Sequence, residues 1–316
     1  MAKRFDVITV GGATEDIFFT ADDYVVIDNP RDPVRQKLVA FEYGAKIGVP
    51  ETATRFGGGA ANTAVAFSRL GFKTAAAIAV GGDERAGRIL RNLITHRVDI
   101  RCCQHVSGES GVSFILKAKG GEHVIFTHRG ANDRLAIHRP LQACFKKAGR
   151  IFVTSLTGSW NKVLSEVMSA GRPIAWNPGR AQLNAGLKKL KPFLERTDIL
   201  IVNRDEAIEL AGQGLKPVSA LLKRLFAAGP RIVAITDGAK GASAYDGNAI
   251  VSVKAAKARE SDTTGVGDAF GSTLVAALDR GHGLQVAMRC AVKNSASVVS
   301  RQGAQSGLRS ARELGI

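Results

Sequence analysis

Asp262-Thr263-Thr264-Gly265-Val266-Gly267-Asp268-Ala269-Phe270 is the stretch from which the rest of the chain can be read. Its two glycines let the backbone approach a ligand closely, and Thr263 or Thr264 can cap a helix. Ala269 to Leu278 then continues with apolar residues at helical spacing. A turn running into a helix presents unpaired N–H groups and the positive end of the helix dipole, so an anion such as phosphate is stabilised there. Asp268, in the first turn, is expected to stay ionised and to accept a proton from an attacking hydroxyl. Read alone, the same residues also fit a capped helix start with no ligand.

Upstream of this turn the chain repeats a strand followed by a helix-like segment. The strands fall at Arg150 to Thr154, Pro173 to Trp176, Asp198 to Val202 and Arg231 to Ile235. Polar residues stand where each run ends: Asn177, then Asn203-Arg204-Asp205-Glu206, then Thr236-Asp237-Gly238-Ala239-Lys240-Gly241. In an open α/β sheet, ligands gather beyond the carboxyl ends of the strands, so these segments and the 265–268 turn define one crevice. Glu206 is its candidate Mg²⁺-organising acid. At the N-terminus, Phe5 to Val10 is a buried-strand run ending in Gly11-Gly12-Ala13-Thr14-Glu15-Asp16, which puts Asp16 at the same edge, placed to bind hydroxyls.

Phe56 to Gly71 is a glycine turn opening a small-residue helix, and it lacks the GxGxxG spacing and ribose-binding acid of a dinucleotide site. Gly57, Gly58 and Gly59 beside Asn62 would instead let backbone and amide close on a polar ligand. Thr74 to Val80 reads as a further strand and Glu84 to His96 as a helix. Asp22 to Pro50, charged and broken by three prolines, is too irregular for a βαβ repeat and reads as a lid or insertion. Val112 to Ala118 and His123 to Thr127, joined by Lys119-Gly120-Gly121-Glu122, form a hairpin, with Asp99 to Val106 completing a small antiparallel sheet. The fold class is α/β: a doubly wound, mainly parallel sheet flanked by helices, with a small β lid. Residues 1–16, 57–98 and 129–316 form the large nucleotide- and substrate-binding domain, and 17–56 and 99–128 the lid.

Composition narrows the function. At 316 residues, with 45% hydrophobic content and 35 glycines, the chain suits one large α/β domain with an appendage. No run approaches the ~18 apolar residues of a membrane span, and the N-terminus passes straight into a strand, so a cytoplasmic protein without a signal peptide is expected. The four cysteines, at 102, 103, 144 and 290, include no CxxC pair and indicate reduced structural thiols. A net charge of +16 raises nucleic acid as a partner. The basic residues are scattered through helical segments with no dense tract or aromatic-interleaved groove, which argues for a solvated basic surface that also suits polyanionic substrates. No GxxxxGK[ST] occurs and no HRD or DFG set, which removes the P-loop and protein-kinase classes.

On Gly57 to Gly71 and Asp262 to Phe270, the chain resembles the ribokinase-like (PfkB) family of carbohydrate kinases over nearly its whole length. The resemblance implies that Asp268 is the catalytic base, with the N–H groups of Gly265, Val266 and Gly267 as anion hole; Val266 stands where alanine is usual. It further implies that Asn203 and Glu206 match an NxxE motif ordering Mg²⁺ through water, and that Thr236, Gly238 and Gly241 match a nucleotide-binding turn for ATP. Asp16, Gly58 and Asn62 match sugar-hydroxyl contacts. Gly130-Ala131-Asn132 and Gly303-Ala304-Gln305-Ser306 resemble the ribose phosphorylators, the latter near a monovalent-cation loop that would take K⁺. Those enzymes carry lysine where this chain has Gly59, and their counterpart of 17–56 is shorter. The implied reaction is ATP-dependent phosphorylation of a hydroxyl on a small ribose- or fructose-like sugar. A nucleoside kinase on the same scaffold is the alternative, with Phe41, Tyr43 or Phe114 available to stack on a base.

Two further expectations follow. Asp268, at a solvated crevice, would tolerate conversion to Asn with little change in stability. The run Val112, Phe114, Leu116 against Ser113, Ile115, Lys117 is apolar on both faces, so the lid either pairs into a homodimer, with Phe114 and Ile115 at the interface, or closes over a larger substrate.

Overall fold

The computed structural model describes residues 4–29, 37–117, 123–212, 214, 217–258 and 262–316. In chain order, β1 (Phe5–Val10) is followed by β2 (Thr14–Thr20), β3 (Val25–Asp28), β4 (Lys37–Ala40) and β5 (Thr52–Gly57). Helix α1 (Gly59–Arg69) leads to β6 (Thr74–Ala77) and β7 (Ala79–Val80), and α2 (Glu84–Thr95) to β8 (Gln104–His105), β9 (Gly111–Lys117) and β10 (His123–His128). Then come α3 (Arg139–Phe145), β11 (Ala148–Val153), α4 (Trp160–Met168), β12 (Ile174–Trp176), α5 (Arg180–Leu183), α6 (Gly186–Leu194) and β13 (Ile199–Asn203). The chain ends through α7 (Arg204–Ala211), α8 (Val218–Phe226), β14 (Ile232–Thr236), β15 (Ala242–Tyr245), β16 (Ile250–Val253), α9 (Val266–Asp279), α10 (Leu284–Val299) and α11 (Ala311–Leu314).

The large sheet runs β16-β15-β14-β13-β12-β11-β1-β6, parallel from β6 to β14 and antiparallel at its last two strands. Strand alternation sends successive side chains to two different cores. Ile8, Val10, Ile151, Val153, Leu200 and Val202 face the core under α3 to α8, while Val7, Phe152, Ile199 and Ile201 face the one under α9 and α10. Helix α9 lies tight on that second face: a Cβ at Gly271 would come within 3.1 Å of the Phe152 ring and 3.2 Å of Ile201 Cδ1. A third core, built on Ala60, Ala64, Ile78, Ile89 and Leu93, seats α1 and α2. The chain passes from β1 to β6 on one side and later from β1 to β11 on the other, so the strand order reverses at β1 and opens the crevice there.

The lid is a four-stranded sheet, β10-β9-β2-β5. It differs from the sequence expectation in three ways. Asp16 sits inside β2 and Gly57 ends β5, so the expected boundaries at 16 and 57 cut through lid strands. The sheet is mixed, since β2 and β9 run parallel. Segment 99–106 does not join it: Gln104 and His105 pair in parallel with Ala79 and Val80, because Gln104 also binds the Ala136 backbone on the large unit. The 112–128 hairpin is present as β9 and β10; its turn, 119–122, lies outside the described residues. Within 22–50, β3 and β4 form a separate two-stranded ribbon. The strand expected over 74–80 is split into β6 and β7.

After β14 the chain makes the hairpin β15–β16 rather than a helix. The signal was Asp246-Gly247-Asn248, whose Asp246 carboxylate accepts from the Asn248 and Ala249 N–H groups. A buried acid fastens the lid root to α2: Glu15 accepts from Arg88 Nε at 2.6 Å and lies 3.3 Å from Arg85 Nε. These guanidinium contacts, Arg88 first, hold its carboxyl below the usual range.

Candidate active site

Gly265 governs the turn before α9. Its φ of +73° is left-handed, and a Cβ there would stand 2.3 Å from Ala304 Cβ. Neither threonine caps the helix: Gly265 is the N-cap and no side chain bonds the first turn. Asp262 does the work expected of them from one step back. Buried, it accepts from Thr264 N–H at 2.9 Å and from Gly303 N–H at 2.8 Å, binding the turn to the 301–306 loop. Among the described residues the N–H groups of Gly267 and Asp268 have no carbonyl partner, as expected at the first turn of a 14-residue helix.

Asp268 faces the crevice from that first turn. The residue is only half-buried, yet protein packs round its carboxyl, and the resulting desolvation pushes its pKa up to about 6; the bond from Asn62 acts the other way. Asn62 Nδ2 on α1 donates to Asp268 Oδ2 at 2.8 Å, joining two residues 206 positions apart.

The acceptor side is built from the roots of the lid. Asp16 is buried in β2, where Thr14 Oγ1 donates to Oδ1 at 2.8 Å, and burial raises its pKa. A Cβ at Gly57 would lie 2.0 Å from Asp16 Oδ2, so the glycine makes room for the carboxylate. Gly58, at φ +86°, presses on the Gly12 carbonyl, 2.5 Å from where its Cβ would be. Asn132 clasps the same loop, accepting from Ala13 N–H at 2.9 Å and donating to its carbonyl at 3.0 Å. At Gly59, a Cβ would come within 2.8 Å of both Cβ and Oγ1 of Thr154 at the end of β11.

On the nucleotide side, a cavity of about 460 Å³ is lined by Thr236, Gly238 and Gly241 together with Thr263, Val266, Gly267, Lys257 and Phe270. Two segments expected on separate grounds, the 236–241 turn and the anion turn, therefore share one chamber. Gly241, at φ +102°, has the Val253 carbonyl 2.0 Å from where its Cβ would be. Asn203 is the register partner of Thr236 across β13 and β14. Glu206 enters a reciprocal cap with Asn203: its Oε2 accepts from Asn203 N–H at 2.8 Å, and Asn203 Oδ1 accepts from Glu206 N–H at 2.9 Å. Burial raises the pKa of Glu206. Its other oxygen is not used by the cap.

Sequence reasoning passed over Asp262, Thr154, Asn132 and Gln305 as working parts. An Asp two residues before a backbone N–H is a turn signal that could have found the first. Asn132 and Gln305 stood in stretches quoted for their resemblance to the ribose phosphorylators, but their partners, like those of Thr154, lie more than 50 residues away and could not be read locally.

Comparison with known proteins gives the family and the fold. Residues 25–311 match the family described as pfkB family carbohydrate kinase. A ribokinase of Haemophilus influenzae is 29% identical over 269 residues, 82% of this chain and 85% of the relative. A nucleoside kinase of Methanothermobacter thermautotrophicus is 24% identical over 311 residues, 98% of this chain and 94% of the relative. The structure of Arabidopsis thaliana ribokinase complexed with ribose and ATP superposes with a TM-score of 0.81 at 20% identity, covering 99% of this chain and 98% of that one.

Proposed function

The chain belongs to the pfkB family of carbohydrate kinases, and from that premise we propose that it transfers the γ-phosphoryl of ATP to a hydroxyl of a small ribose- or fructose-like sugar, with Asp268 as base. The observation that carries the reading is the position of Asp268. It stands in the first turn of α9, bonded to Asn62 on the acceptor side, one residue from Gly267 in the nucleotide cavity.

The chemistry follows from that placement. With a pKa of about 6, Asp268 is mainly ionised at pH 7 and retains enough basicity to take the proton of an acceptor hydroxyl. The freed oxygen attacks the γ-phosphorus in line, the bond to the β-phosphate oxygen breaks, and ADP leaves. Charge spreading onto the transferring group is met by the backbone N–H groups of Gly265 and Gly267 and by the dipole of α9; of the three N–H groups expected in the anion hole, that of Val266 instead donates to the Thr263 carbonyl at 3.4 Å. Asp16, Gly58 and Asn62 hold the acceptor, while Asn203, Thr236, Gly238 and Gly241 hold the nucleotide.

Among the described residues no cluster of three or more acids, histidines or cysteines could cage a metal. That fits Mg²⁺, which keeps several waters and relies on nucleotide phosphates. Glu206, with one oxygen outside its cap, would hold it through water; when bound, the ion neutralises phosphate charge. K⁺ at the 303–306 loop and a cytoplasmic location belong to the same reading. Among the described residues no helix is long and apolar enough to cross a membrane.

A second reading, a nucleoside as acceptor, is favoured by Phe41 and Tyr43, whose exposed rings are available to stack on a base, while Gly59 weighs only against ribose. Thr154 occupies the space into which a lysine at 59 would project its Cβ, so the ribose phosphorylators' lysine contact is absent. A coupled ADP-release assay over sugars and nucleosides tests both. Turnover with pentoses or hexoses supports the first reading, turnover with nucleosides alone the second, and none with either rejects both.

The homodimer through the lid is part of the proposal. Phe114 and Phe126, directly paired across β9 and β10, are 42% and 54% exposed, and Val25, Val26, Ile27 and Leu38 on the ribbon are exposed too. Ile115 does not belong to this surface. It is buried at 1% exposure, because that face of β9 packs inward.

A further inference from the structure

Asn62 is itself held. Its Nδ2 donates to Asp268 Oδ2 at 2.8 Å while its Oδ1 accepts from Gln305 Nε2 at 3.2 Å. Gln305 Oε1 in turn accepts from Asn92 Nδ2 at 2.8 Å. Three amides run head to tail from α2, through the 301–306 loop, to the base at the start of α9.

The direction of this chain is set by chemistry. An ionised carboxylate can only accept, so Asn62 must turn its NH₂ toward Asp268, which leaves its oxygen facing Gln305. Gln305 must then offer its own NH₂, and its oxygen requires a donor, which Asn92 supplies. Each bond polarises the next. Presenting an acceptor to a protonated Asp268 would require all three amides to reverse together.

We propose that Gln305 and Asn92 are positioning residues of the phosphoryl-transfer step, an amide relay that keeps the NH₂ of Asn62 on Asp268 and so holds the base ionised and aimed at the acceptor hydroxyl. The proposal rests on Asp268 as base. The crevice elements carry other charges, Asp16 on β2, Arg55 on β5 and Asp262 in the turn before α9. None adds to the effects of burial and the Asn62 bond on Asp268. Asp262 is committed to two backbone N–H groups and Arg55 to the Thr54 carbonyl.

The test uses Gln305→Leu, which keeps bulk but cannot donate, and Asn92→Asp, whose carboxylate only accepts and so turns Gln305 round. The first readout is the ¹³C titration of the Asp268 carboxyl in the full-length protein without substrate. Both variants should move it upward by at least about half a pH unit relative to wild type. The second readout is turnover, whose loss through the titration should grow from roughly 1.2-fold at pH 7 to about threefold at pH 5, with KM for ATP within about twofold. A loop that merely packs would lower turnover equally at every pH and leave the titration in place, and that result overturns the proposal. If Gln305→Leu does not fold, Asn92→Asp, on a half-exposed helix position, carries the same two readouts. Wild type inactive on every sugar and nucleoside would reject the kinase reading, and the titration shift alone would then decide the relay.

Discussion

Asp268→Asn should abolish most activity and make the protein more stable. A carboxylate whose pKa is raised from its ordinary 3.8 to about 6 is in its disfavoured form at neutral pH. The gap of roughly 2 pH units, at about 1.4 kcal/mol each, is about 3 kcal/mol. The sign runs with pH. Below about pH 4 the carboxyl is neutral in both folded and unfolded chains, and the native state carries no penalty. As pH rises to about 6 the unfolded chain ionises first, native stability from this group is lost, and above pH 7 the whole penalty applies. Asparagine keeps an acceptor for Asn62 and never ionises, so its advantage over wild type should grow from near zero at pH 4 to about 2–3 kcal/mol at pH 8. Urea unfolding at pH 4, 6 and 8 reads this directly, and turnover should fall by at least ~100-fold alongside. A stability difference that is flat with pH would refute the claim that burial sets the pKa of Asp268. It would also restore the solvated crevice expected from sequence.

Glu206→Gln should keep the cap, since glutamine accepts the same Asn203 N–H, and change stability by less than ~0.5 kcal/mol while raising the Mg²⁺ needed for half-maximal rate; an unchanged Mg²⁺ titration would leave Glu206 as a cap alone. Gly59→Lys should cost about 1–3 kcal/mol in thermal or urea unfolding through its clash with Thr154, and should not create ribose phosphorylation where wild type lacks it. Phe114→Asp and Phe126→Asp, both at exposed positions, should convert a sedimenting dimer to monomer with little loss of melting temperature, whereas Ile115→Asp should destabilise the fold outright; a wild-type monomer at micromolar concentration would reject the lid dimer.

The parallel sheet was legible because buried strands announce themselves as short apolar runs, and β11 to β14 lie within two residues of where those runs predict them. The anion turn and the 236–241 turn were legible because glycine is the residue that takes a left-handed turn without strain, and both converge on one cavity. Asp16 illustrates the limit. The Gly11-Gly12 signal ends β1 correctly, but nothing local says that the chain turns at once into a lid strand, because the partners of β2 lie about 40 and 100 residues on. Burial of Asp268 was invisible for the same reason, since helix dipole and Gly-rich turn describe its own segment, while the side chain bonded to its carboxylate, Asn62, comes from α1, 206 residues away in sequence. Homology of motif located Asn62; only coordinates show what Asn62 leans on.

The interlocked lid roots bear on how this scaffold can be recombined. Gly58 seats on the Gly12 carbonyl and Ala13. Gly111 has the Asn132 amide 2.3 Å and the Ala13 carbonyl 2.8 Å from where its Cβ would be, and Asn132 brackets Ala13 from both sides. Four separate crossings between lid and body thus meet at one knot about a single alanine. A chimaera that borrows a relative's lid must leave that knot to the recipient, with splice points outboard of it: after Thr14 and before Phe56 for the first segment, and after Gly111 and before Gly130 for the second. Junctions drawn at the visible edges of the sheets would sever the knot, and with it the seat of α1 that carries Asn62 to the base.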